Sequence, residues 1–72
     1  MEYRELDTFI FACLRQEPCS TAQEIAKAIP LATKREVDER LEANILKGKL
    51  ARRPGTQGGR TVHAYWIPDY SG

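Results

Sequence analysis

Proline and glycine cut this chain into short pieces, and the cuts limit what it can build. Pro18 and Pro30 each lack a backbone donor and hold the preceding residue out of the helical region. Gly48 supplies a left-handed position where a helix can end, next to a cation, Lys47, suited to the negative end of the helix dipole. Three helical segments result, at about 3–16, 21–29 and 34–47. Beyond Gly48 the pattern changes to two β-like runs, Lys49-Leu50-Ala51 and Thr61 to Ile67, around a tip rich in Pro and Gly, so 49–67 reads as a hairpin with a long, mobile tip. Helices this short are marginal alone and must pack on one another.

The first helix carries Leu6, Phe9, Ile10, Cys13 and Leu14 at i, i+3, i+4, i+7 and i+8, one buried stripe, with Phe11 off it at the rim of the core. The second can start at Ser20 or Thr21, paired with Gln23 or Glu24 respectively in a capping box, and buries Ala22, Ile25, Ala26 and Ile29. The turn Pro30-Leu31-Ala32 leads to the clearest start signal in the chain. In Thr33-Lys34-Arg35-Glu36, Thr33 is the N-cap and Glu36 reaches back to it. Val37, Leu41 and Ile45, with Leu46 adjoining them, form the third core stripe, while Arg35–Glu39 and Glu36–Arg40 sit at helix-pair spacing.

The chain has 72 residues, which reads as one small domain over 1–72 or a fragment of one, whose core is marginal enough for a second copy to add useful burial. Its formal net charge is only +1, but the charge is unevenly placed. Through residue 42 there are six Lys/Arg against nine Asp/Glu; from Ala43 on there are five against one, Asp69. Lys47, Lys49, Arg52, Arg53 and Arg60 therefore make the hairpin region basic. A soluble polar hairpin would also need some charge, which is the plainer reading. Cys13, Cys19 and His63 are too few and too scattered for a structural zinc site, and no cofactor is expected. His63 has no Ser, Cys or carboxylate arranged with it for catalysis, so no enzyme chemistry is expected. No apolar run approaches membrane-spanning length and no signal-peptide pattern is visible, so a cytoplasmic chain with reduced thiols is expected, with no membrane partner.

The expected fold is α+β, mainly α: a winged helix-turn-helix of three helices followed by a β-hairpin wing. At Glu24-Ile25-Ala26-Lys27-Ala28-Ile29, Val37 with Leu41, and Lys47-Gly48-Lys49-Leu50-Ala51-Arg52-Arg53, the chain resembles prokaryotic winged-helix transcription regulators. The small regulators of pilus operons come nearest in size and also close on aromatic residues in the last strand. That likeness implies a DNA-binding transcription regulator, with Tyr65 and Ile67 turned inward beside Leu50. Trp66 would then cover the outer face of the sheet or stack on an arginine stem. Without the likeness, alternation alone leaves open whether Val62, Ala64 and Trp66 or His63, Tyr65 and Ile67 face the core. Thr33 to Asp38 followed by Lys47-Gly48-Lys49-Leu50 is also similar to the Z-DNA-binding domains of double-stranded-RNA adenosine deaminases. There an asparagine and a tyrosine make the defining contacts; the matching positions here are Asp38 and Glu42, and the wing lacks the adjacent prolines, so that activity is set aside.

In a winged helix the start of the third helix enters the major groove of duplex DNA, which places Thr33, Lys34 and Arg35 near it. The two cations can meet phosphates or guanine edges, and Thr33 with the first-turn amides suits a phosphate oxygen. On the wing, Arg52, Arg53 and Arg60 flank the tip, Gln57 can reach sugar or minor groove, and Lys47 and Lys49 lie at its base. The alternative for these cations is a solvated helix end and arginines that guard a strand edge. Asp38, Glu39 and Glu42 oppose deep entry of the helix into DNA. They motivate a rival from another class, a protein-interaction module whose acidic third helix meets a basic partner, with Phe11 or Trp66 as anchor.

Overall fold

The computed structural model describes residues 2–68, arranged as α1 (Tyr3–Gln16), β1 (Ser20–Thr21), α2 (Ala22–Ala28), α3 (Lys34–Leu46), β2 (Ala51–Gln57) and β3 (Arg60–Trp66). In α1, Leu6, Ile10 and Leu14 are buried at a spacing of four. Phe9, expected on the same stripe, is instead 48% exposed, while Phe11 packs at the edge of the core. The helix is turned about its axis because Asp7 is held by α3, which brings the 7–11 side of the helix inward and leaves position 9 outside.

After α1 the chain reverses through Cys19, a non-glycine residue in the left-handed region with φ 65°. The buried Ser20 hydroxyl donates to the Glu17 carbonyl at 2.6 Å, which holds this corner. Ser20 and Thr21 then form a short strand that pairs antiparallel with β3, Ser20 opposite Tyr65 and Thr21 opposite Ala64. Nothing in the local sequence marks β1. Thr21 also caps α2: its hydroxyl accepts from the Glu24 amide at 3.2 Å, and the Glu24 carboxylate accepts from the Thr21 amide at 2.8 Å. The choice between Ser20 and Thr21 as the cap is thus settled for Thr21.

α3 starts with the reciprocal cap expected of Thr33 and Glu36. It ends in a Schellman motif, with Gly48 at φ 74°, its amide bonded to the Ile45 carbonyl at 3.0 Å and the Lys49 amide to the Asn44 carbonyl at 2.9 Å. Val37 and Leu41 are buried and Ile45 packs against the core, but Leu46 is 85% exposed and takes no part in it. The anticipated Glu36–Arg40 pair does not form. Glu36 is occupied at the helix cap, and Arg40 crosses to α1, where it grips Asp7 through two hydrogen bonds of 2.8 and 2.7 Å. Asn44, almost fully buried, donates to Asp7 at 3.3 Å and to the Arg40 carbonyl at 2.8 Å, and the Arg40 guanidinium lies 4.8 Å from the centre of the Tyr3 ring.

The sheet order is β1-β3-β2. β2 and β3 pair from Ala51 opposite Trp66 to Gln57 opposite Arg60, and only Gly58 and Gly59 remain in the turn. Both have positive φ, 59° and 78°, the conformation of a two-residue turn matched to strand twist. The long tip expected from Pro54 and the glycines is therefore a full ladder: Pro54 and Gly55 lie within β2, an edge strand where a missing donor is tolerated. Leu50 and Tyr65 join the buried cluster with the helical residues, and Ile67 packs against it, which resolves the facing of the last strand. Three helices, with α2 and α3 joined by a short turn, followed by an antiparallel hairpin make a winged helix-turn-helix.

Candidate nucleic-acid interface

The exposed start of α3 is built by its cap. Thr33 uses its oxygen to accept from the Glu36 amide at 3.1 Å. Hydrogen bonding from the Thr33 backbone and then from its side chain holds the Glu36 carboxyl below its ordinary range. A fixed negative charge thus already sits at this helix end.

The three acidic residues of α3 that opposed DNA entry each have a cation of this chain. Lys34 Nζ lies 2.9 Å from Asp38, Arg35 Nε 3.6 Å from Glu39, and Arg52 of β2 2.6 Å from Glu42. The acidic face is largely neutralised from within, and so are three of the cations expected to meet phosphate. The pairs are solvent-exposed and hence loosely held, so a carboxylate partner can be exchanged for another anion. The Tyr65 hydroxyl first, and Glu42 second, favour the charged form of Arg52. Arg53 and Arg60 have no ion pair among the described residues.

The expected site residues do not form one patch. Thr33, Lys34 and Arg35 are consecutive at the α3 start, yet Lys34 lines the space between α3 and the wing, whereas the Arg35 side chain is 88% exposed. Arg52 and Arg53 project to opposite faces of β2. Arg52 turns to α3, while Arg53 lies on an outer groove of about 200 Å³ with Trp66, Cys19, Pro18, Leu14 and Ile67. Trp66, half-buried, thus covers the outer side of the sheet beside an arginine. Arg60 sits at the turn opposite Gln57, five residues along β2 from Arg52, or roughly 17 Å at the usual rise per residue.

A concavity of about 280 Å³ opens between the starts of α2 and α3 and the inner face of the wing. Lys34 and Gln57, both singled out in the sequence, line it together with Gln23, Thr61 and His63, which were not. Two of these were within reach of the strand period. Once Tyr65 faces inward, His63 and Thr61 must share its side of β3. Gln23 carries no such signal, because β1 is what brings the start of α2 against β3. The concavity therefore presents an ammonium, two amides, the hydroxyls of Thr21, Thr61 and Tyr65 and an imidazole, with Asp38 as its acidic member.

The fold has a solved counterpart. Stf76 from the Sulfolobus islandicus plasmid-virus pSSVx superposes with a TM-score of 0.77 over 92% of this chain and 84% of its own, at 20% sequence identity. At that identity the likeness establishes a shared fold. No family model matches the chain, and no curated protein matches it. Among the described residues no helix is long and apolar enough to cross a membrane.

Proposed function

We propose that this protein binds duplex DNA and works as a small, non-enzymatic transcription regulator in the cytoplasm. The supporting observation is the donor-lined concavity between the start of α3 and the wing, where Lys34, Gln23, Gln57, Thr61 and His63 converge. In this reading the first turn of α3 approaches the major groove, and a sugar-phosphate strand runs through the concavity. Arg60 at the turn and Arg52 toward the base of the wing extend the contact along the backbone, while Arg53, on the outer face, lies off this path. Lys34, Arg35 and Arg52 would exchange Asp38, Glu39 and Glu42 for phosphate, so those acids temper the affinity. The wing and the α3 start then supply nonspecific affinity, and base readout is confined to Lys34 and Arg35.

Binding to mixed-sequence duplex, followed by fluorescence anisotropy, should weaken steeply with salt, with a log–log slope of about −2.7 to −4.5 for three to five phosphate contacts. Lys34→Ala and Arg60→Ala should each flatten that slope by about 1. Glu42→Gln should tighten binding, because it frees Arg52 and removes a carboxylate that phosphate would otherwise face. Lack of any salt-sensitive binding at low ionic strength would overturn the reading.

A further inference from the structure

α1 packs on α2 and α3 with one side and leaves the opposite side bare. At 100° per residue the outward arc is Glu5, Thr8, Phe9, Ala12, Arg15 and Gln16, and all six are exposed. Its middle is less polar than its ends. Phe9 is one of four large apolar residues that the core does not take, with Tyr3, Leu31 and Leu46, and the one that falls within this arc. Ala12 at the centre of the arc leaves room for a close neighbour. The Thr8 hydroxyl already donates to the Arg4 carbonyl at 2.9 Å, so Thr8 can be covered without stranding a donor. Glu5 and Arg15, near the two ends, have no ion pair among the described residues.

We propose that this face of α1 pairs with the same face of a second copy, the two helices antiparallel about a twofold axis near the middle of the arc. Antiparallel pairing places Glu5 against Arg15 of the second copy at both ends, and Thr8 against Ala12 on either side of the axis. Phe9 then lies over the small residues of the opposing helix. A parallel pair would instead oppose Glu5 to Glu5 and Arg15 to Arg15, so charge selects the antiparallel arrangement. Contact through one helix of 14 residues covers less than the roughly 1,200–2,000 Å² of standard stable complexes, so the dimer is weak and forms with concentration. The face lies on α1, which contributes no residue to the concavity, and the pairing does not depend on DNA binding.

Sedimentation equilibrium of the whole chain from about 10 µM to about 1 mM tests this. The mass should rise from 8.2 kDa toward twice that value. Arg15→Glu should hold the mass at the lower value, and Glu5→Arg combined with Arg15→Glu should restore the rise. A wild type that stays at 8.2 kDa across the range, or an Arg15→Glu chain that associates as well as the wild type, overturns the pairing. So does a charge-swapped chain that is folded by circular dichroism but stays monomeric. Concentration-dependent amide shifts of the unaltered protein give a second reading. They should centre on Thr8, Phe9 and Ala12, and shifts centred on any other element refute the proposal.

Discussion

At the scale of single residues, the contact that fixes the helices is Asp7 with Arg40. Both side chains are mostly buried, at 22% and 13% exposure, and the two-pronged geometry ties α1 to the middle of α3. Asn44 satisfies a further carboxylate lone pair, so no buried side-chain polar atom among the described residues lacks a partner. Asp7→Ala would leave Arg40 and Asn44 without that acceptor and should cost about 2 kcal/mol. In a chain of this size that lowers the melting temperature by roughly 10 °C, which calorimetry can read. The Arg40 hydrogen bonds hold the Asp7 carboxyl below its ordinary value of 3.8 despite partial burial. A carboxyl whose folded pKa is depressed binds fewer protons folded than unfolded near that value, so its stabilisation is complete above it and disappears as pH falls through the folded pKa. Urea midpoints should therefore be insensitive to Asp7 above about pH 5 and fall below about pH 4, with a shallower acid limb in Asp7→Asn.

At the scale of elements, local signals were legible and distant ones were not. Both capping boxes and the Gly48 stop could be read because their partners lie three to five residues apart, within the reach of sequence spacing. Thr33→Ala should accordingly destabilise the fold by about 1 kcal/mol, read as a shift in the urea midpoint with an unchanged slope. β1 left no trace, since two residues become a strand only because β3 arrives beside them. Phe9 departs from its stripe for a related reason. Periodicity defines an apolar stripe, but Asp7–Arg40 decides which edge of it turns inward. Pro54 and the glycines look like one long tip, whereas register along β3 lets the ladder run to Gln57. The candidate site shares this limit. Its cations were visible from charge, the Arg35–Glu39 pair from helix spacing and the opposite facing of Arg52 and Arg53 from the strand period, but the pairing of Arg52 with Glu42 depends on where α3 meets the wing.

On the scale of the whole molecule, the basic second half and the acidic first half do not face each other as two blocks. Ion pairs within α3 and between α3 and β2 even out the charge on that side, while Arg60 stays at the wing turn. A protein built in this way should hold DNA weakly at physiological salt and more tightly as ionic strength drops. The most direct test is a heteronuclear chemical-shift titration of the folded chain with a short mixed-sequence duplex at low salt. Amide shifts are expected at Thr33, Lys34, Gln57, Arg60, Thr61 and His63, around the concavity and the wing turn, while Leu6 and Ile10 in the core of α1 stay in place. No shifts at low salt, or shifts that spare both α3 and the wing, would contradict DNA binding through this face.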